Sequence, residues 1–177
     1  MRHLTAFVSM LLIAAALPCV QASERHALVI GNSDYLIQPL VNPRNYATDV
    51  AAELRNMGYK LHNGGALLDL NRRDIVRALI TFADALPNNA DVLFYYAGHG
   101  MSVGRENFLI PIGHQLEAVE QLPDAAISLR FVLERLKNAN PQGTNVVLLD
   151  ACRDNPLTRS FRSTRAGLST EQEIPRG

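Results

Sequence analysis

Two residues in this chain pair a reactive side chain with unusual neighbours. His99 follows the apolar run Val92-Leu93-Phe94-Tyr95-Tyr96 within Gly98-His99-Gly100. Cys152 follows Val146-Val147-Leu148-Leu149 at the end of Asp150-Ala151-Cys152. A thiol attacks a carbonyl carbon as the thiolate, so it needs a base that takes its proton and later returns one to the leaving group. An imidazole titrating near neutral pH does both. Taken singly, each residue has an ordinary explanation, a hydrogen-bonded loop histidine or a buried inert thiol. Their positions at the ends of two strongly apolar runs join them, because buried parallel strands bring ligand-handling groups to the carboxyl edge of a sheet. The backbone N–H groups of Gly100 and Cys152 would then face a developing oxyanion. The glycines flanking His99 are expected to make a tight turn and admit a substrate backbone.

The elements that must position this pair alternate along the chain. Ala27 to Ile30 reads as a buried strand, and Val50, Leu54 and Met57 recur at helical spacing before Gly58. Tyr59 to His62 is a weaker strand signal ahead of Asn63-Gly64-Gly65. Asn71 with Asp74 marks a helix start, and Ile75, Ala78, Leu79, Phe82 and Leu86 form its apolar face. The strand Val92–Tyr96 follows, then a short strand or hairpin arm over Phe108–Ile110. Leu129, Val132, Leu133 and Leu136 define another amphipathic helix before the strand Val146–Leu149. Near-continuous apolar strands alternating with helices predict an α/β fold, a mostly parallel sheet flanked by helices on both faces.

With 177 residues the chain suits one domain. Lys plus Arg and Asp plus Glu both number 17, a balance that argues against a nucleic-acid binder. No stretch has the 18 or more apolar residues that a membrane span needs. A nucleotide-binding doubly wound fold is disfavoured, because Gly31-Asn32-Ser33-Asp34 lacks the required glycine spacing.

The first 22 residues read as a secretory leader. Met1-Arg2-His3 supplies positive charge, Ala6 to Leu17 is apolar apart from Ser9, and Val20-Gln21-Ala22 offers a cleavage site. The expected mature protein is exported, to a periplasm or outside the cell, and is not membrane-bound after cleavage. Cys19 leaves with the leader, so Cys152 is the only cysteine of the mature chain and no internal disulfide is expected.

Tyr95-Tyr96-Ala97-Gly98-His99-Gly100 and Asp150-Ala151-Cys152-Arg153-Asp154-Asn155-Pro156 resemble the histidine and cysteine motifs of caspase-like cysteine peptidases, in particular the bacterial metacaspase-like (orthocaspase) branch. The interval of 53 residues between His99 and Cys152 fits the spacing of about 50 in caspases. Ala27 to Asn32, Leu40-Val41-Asn42-Pro43 and Glu106 to Pro111 extend the resemblance, which runs from about Arg25 to Phe161.

That resemblance implies a caspase-haemoglobinase fold and a cysteine endopeptidase acting through an acyl-enzyme. His99 would be base and general acid, Cys152 the nucleophile and Gly100 an oxyanion contributor. It also implies cleavage after Arg or Lys, with Asp150 as a pocket carboxylate that pairs with the substrate cation. The other reading of Asp150 is a loop cap on backbone N–H groups. Where the family has a second pocket acid, this chain has Tyr46. Asp49 lies about one helical turn on, and Asp34 is a further acidic candidate for substrate binding.

The resemblance leads to three segments: a leader over 1–22, a caspase-like domain over 23–161, and a loop or truncated C-terminal portion over 162–177. The family's last strands are expected to be missing from this chain. Arg153, Arg159, Arg162 and Arg165 read as a solvated loop, a self-cleavage region or a site for an acidic partner. His26, His62 and His114 lack metal-ligand spacing. Calcium activates some metacaspases, but no EF-hand pattern occurs, and no metal or cofactor is expected. The expected partner is a protein or peptide substrate, and the expected state is a monomer. The competing expectation is a non-catalytic caspase-like binding or scaffold domain.

Overall fold

A computed structural model describes residues 23–152, with the side chains described as far as Ala151. The expected leader and the Arg-rich segment after Cys152 lie outside the described residues. The elements are β1 (Arg25–Gly31), α1 (Pro43–Asn56), β2 (Lys60–Leu61), β3 (Leu67–Leu68), α2 (Arg72–Asp84), β4 (Asp91–Val103), β5 (Glu106–Ile110), α3 (Leu122–Ala125), β6 (Ile127–Ser128), α4 (Leu129–Ala139) and β7 (Thr144–Cys152). The sheet runs β2-β1-β4-β5-β6, with β3 also on β1 and β7 on β4. Pairings of β1 with β2, β3 and β4, and of β4 with β7, are parallel, while β4–β5 and β5–β6 are antiparallel.

The two-residue period of the central strands sorts their side chains into two cores. Leu28, Ile30, Phe94 and Tyr96 face Ile75, Leu79 and Phe82 of α2 and Val132 and Leu136 of α4. Ala27, Val29, Leu93, Tyr95 and Ala97 face Ala47, Ala51 and Leu54 of α1. Helices therefore flank both faces, as the sequence predicts. On the α1 side the margin over β7 is open among the described residues, where Val146 and Leu148 are exposed.

Local chemistry starts the helices where the pattern places them. Asn71 Oδ1 accepts the N–H of Asp74 at α2, and Ser128 Oγ accepts that of Phe131 at α4. Pro43, preorganised for the first helical position, opens α1. The first turn of α1 sits directly on the end of β1, since a Cβ at Gly31 would lie 2.5 Å from the Pro43 carbonyl oxygen and 2.6 Å from Ala47 Cβ.

Two buried asparagines act as pieces of backbone. Asn140 Oδ1 accepts the Ala90 N–H at 3.1 Å and its Nδ2 donates to the Ala90 carbonyl at 2.9 Å, locking the start of β7 against the start of β4. Asn32 makes the same two-way bond with Leu70, at 2.9 Å each, and holds the loop after β1 to the chain before α2.

One expectation is corrected. The strand carrying His99 does not end in a tight turn at Gly98–Gly100: β4 continues through His99 to Val103 before turning into β5. The apolar run stops at Ala97, but the second half of β4 is held by its hairpin partner and by Met101, which is buried with Phe108 and Ile110.

Candidate active site

His99 is fully buried in β4 and is the Cα partner of Cys152, the last residue of β7. Neighbouring strands run about 4.8 Å apart, so the backbone ladder alone sets the two candidate residues side by side. The His99 ring is oriented from the loop after β1. Its Nε2 lies 2.8 Å from the Gln38 carbonyl oxygen. A carbonyl only accepts, so Nε2 donates and Nδ1 is the basic nitrogen of the neutral ring.

Gln38 has a left-handed backbone, with φ 56°. The loop that carries it is pinned at several points. Leu40 N–H donates to the Ser33 carbonyl at 2.9 Å, and Arg44 N–H to Ser33 Oγ at 3.2 Å. Asp69 Oδ1 accepts from the N–H groups of Ser33 and Asp34 at 2.8 and 3.0 Å, while its Oδ2 pairs with Arg44 at 3.0 Å.

Tyr35 holds His99 from a second direction. Its ring centroid lies 4.3 Å from that of His99, tilted by 56°. Its hydroxyl accepts the His99 N–H at 2.9 Å and donates to the Ile110 carbonyl at 2.9 Å. Tyr96 Oη donates to the same carbonyl at 2.7 Å, with the two hydroxyls 3.2 Å apart. Gly98 makes room for both phenols: a Cβ there would lie 2.5 Å from Tyr35 Oη and 2.7 Å from Tyr96 Oη.

Beside this centre, Tyr95 Oη donates to Asp150 Oδ2 at 3.2 Å. The Tyr95 phenol is pushed up to about 12, by burial first, then by the Asp150 charge and hydrogen bond, with a contribution from Tyr46. It is therefore a neutral donor at ordinary pH. Asp150 itself is exposed.

A model of the caspase domain matches residues 24–176, most of the chain. The chain belongs to the caspase-domain family. Among curated proteins it is similar to mucosa-associated lymphoid tissue lymphoma translocation protein 1 of Homo sapiens and to its homolog in Mus musculus. Each is 29% identical over 133 residues, which is 75% of this chain and 15% of the relative. This caspase domain thus spans a small part of the length of those relatives.

The other candidates take different partners. Gly100 follows His99 in β4, and its described partner is Leu109 of β5. Asp150 is bonded to a phenol rather than to backbone N–H groups among the described residues. Asp34 is tied by its backbone to Asp69 in the turn before α2, not to Asp150. Asp49 is an exposed residue of α1. Among the described residues no group of three or more His, Cys, Asp or Glu is arranged to hold a metal ion.

Gln38 and Tyr35 lie outside both motifs, and Tyr95 and Tyr96 open the histidine motif without any sign of the partners their hydroxyls take. Gln38 acts through a main-chain oxygen, which every residue type carries. The three tyrosines read as apolar strand or loop residues until their hydroxyl partners are known.

Proposed function

We propose that this caspase domain is a cysteine endopeptidase of the metacaspase-like branch, with Cys152 as nucleophile and His99 as base and general acid. The observation that carries this reading is the register pairing of His99 with Cys152, joined to the fixing of His99 Nε2 on the Gln38 carbonyl. The Cys152 proton passes to His99, and the thiolate sulfur bonds to the scissile carbonyl carbon. The N–H groups of Gly100 and Cys152 receive the oxyanion. Collapse breaks the C–N bond as His99 protonates the departing amine, leaving an acyl-enzyme. His99 then deprotonates a water that attacks the thioester, releasing the acid and restoring the thiol.

Asp150 supplies the charge for an Arg or Lys before the scissile bond. The apolar run and small-residue site over residues 1–22 support export of the mature enzyme. The test is a fluorogenic peptide panel, varied at the residue before the cut, with the chain spanning residues 23–177. Cleavage after Arg or Lys, abolished by Cys152→Ala and by His99→Ala without loss of fold, is the expected result. Full turnover in either variant overturns the dyad. A folded protein that cleaves no peptide favours the binding-domain reading, which the Tyr46 replacement supports.

A further inference from the structure

We infer that Asp69 is a positioning residue for His99, acting through the loop after β1 that its carboxylate holds. The inference rests on the peptidase reading above and names a residue outside both motifs that keeps the base in place.

The loop between β1 and α1 supplies two groups that orient His99, the Gln38 carbonyl on Nε2 and the Tyr35 hydroxyl on the backbone N–H. The loop's own hydrogen bonds converge on Ser33. The Ser33 carbonyl accepts the N–H groups of Tyr35 at 3.0 Å and of Leu40 at 2.9 Å, and its hydroxyl accepts that of Arg44 at 3.2 Å. Tyr35 and Gln38 therefore sit on a loop closed back upon Ser33. Ser33 is in turn held by Asp69, whose Oδ1 accepts its N–H at 2.8 Å and that of Asp34 at 3.0 Å. A carboxylate takes N–H groups more strongly than a neutral acceptor does.

Asp69 is itself fixed in place. Its backbone is left-handed, with φ 53°, a region that aspartate, asparagine and glycine tolerate best. Its N–H donates to the Gly31 carbonyl at 2.9 Å, and the two-way bond of Asn32 with Leu70 secures the next residue. Its Oδ2 pairs with Arg44 at 3.0 Å, so one carboxylate ties the start of the loop to the first turn of α1. The side chain is 17% exposed, which limits competition from water for these bonds. The route to the imidazole runs from the carboxylate to the Ser33 peptide, along the loop, and on to the Gln38 carbonyl and the Tyr35 phenol. A misplacement of about 1 Å can cost about a hundredfold in rate, so this anchor bears on the chemical step more than on substrate affinity.

The experiment uses the full-length chain and the best-cleaved peptide of the panel above, and compares Asp69→Gly, Asp69→Asn and Asp69→Glu with the wild type. Asp69→Gly suits the left-handed backbone and removes the acceptor. Asp69→Asn keeps both the backbone and the acceptor. Asp69→Glu keeps the charge and displaces the acceptor by one methylene. Melting curves give the folded fraction of each. A parallel arm follows the His99 Nε2–H signal by heteronuclear NMR of histidine-labelled Cys152→Ala carrying the same substitutions, the signal being identified by its loss in His99→Ala.

The expected result in Asp69→Gly is a kcat per folded molecule lower by about tenfold or more, with KM within a few-fold. Asp69→Asn stays within a few-fold of the wild type, and Asp69→Glu falls toward Asp69→Gly. The His99 Nε2–H signal is lost in Asp69→Gly and kept in Asp69→Asn. An unchanged kcat per folded molecule in Asp69→Gly, or an equal loss in Asp69→Asn, overturns the inference while leaving the peptidase reading intact. Should Asp69→Gly not fold, the other two variants decide: turnover in Asp69→Asn above that in Asp69→Glu supports the inference, and the reverse or equality overturns it. A wild type that cleaves no peptide, with the signal lost in Asp69→Gly and kept in Asp69→Asn, overturns the peptidase reading and supports the placing of His99 by Asp69. A signal unchanged in Asp69→Gly overturns the inference with or without cleavage.

Discussion

His99 and Cys152 are Cα partners in the parallel β4–β7 ladder, and their pairing is set at the opposite end of that ladder, where Asn140 clamps Ala90. A parallel ladder has no hairpin turn to fix its register, so a side chain that bonds both peptide groups of Ala90 takes that role. Asn145 Nδ2 in turn donates to the Asn140 carbonyl at 3.1 Å and holds the clamp in place.

Replacing Asn140 by Ala strands the buried N–H of Ala90, whose carbonyl keeps the Thr144 N–H at 3.1 Å. One unsatisfied buried group costs about 1–3 kcal/mol, so Asn140→Ala is expected to lower unfolding stability by about that amount in urea titrations. On the proposed mechanism, peptidase activity should fall further than the folded fraction does, because a loosened register separates His99 from Cys152. Activity that tracks the folded fraction alone would show that register is fixed elsewhere.

Gln38 offers a cleaner separation of geometry from side-chain chemistry. Its φ of 56° suits glycine and disfavours β-branched residues, and its carbonyl bonds His99 Nε2. Gln38→Gly is expected to retain turnover within a few-fold. Gln38→Val must shift the loop to relieve its backbone, moving the carbonyl from Nε2. Its kcat is expected to drop at least tenfold with the melting temperature little changed. Equal kcat values for the two variants would remove the Gln38 carbonyl from the machinery.

The Tyr95–Asp150 bond predicts a stability change at alkaline pH. The Tyr95 phenol titrates at about 12 in the folded protein, whereas an unfolded tyrosine ionises near 10. Between those values the unfolded chain holds fewer protons than the folded one, so stability falls as pH rises through this window. The contribution is fully present below about pH 10. Urea midpoints at about pH 9 and about pH 11 should differ less in Tyr95→Phe than in the wild type. An unchanged difference would mean that other groups dominate the alkaline loss.

Much of the frame is legible in the residue order. The apolar runs at 27–30, 92–96 and 146–149 mark the three long strands, and Asn71 with Asp74 marks the start of α2. These signals are local: a two-residue or 3.6-residue period, or a cap three residues from its N–H, lies within a few positions of itself. The extension of β4 to Val103 was not legible, because Gly98, His99, Gly100 and Ser102 break the apolar run, and the stretch beyond His99 is paired through β5 among the described residues. Gly98 shows the difference well. Its place beside His99 suggested a turn, yet its small size serves two phenols that arrive from residues 35 and 96.

The sequence by itself determined the reactive types, His99 and Cys152, and the two strands that carry them, because side-chain chemistry and apolar periodicity are written in residue order. Only the tertiary structure decided which groups hold His99 and which phenol engages Asp150. Those contacts join positions up to 64 residues apart, as between Tyr35 and the His99 N–H. One of them uses the main-chain oxygen of Gln38, an atom common to every residue. A contact made by backbone, or by a hydroxyl whose partner comes from a distant strand, has no local pattern, so it exists as information only once the chain has folded.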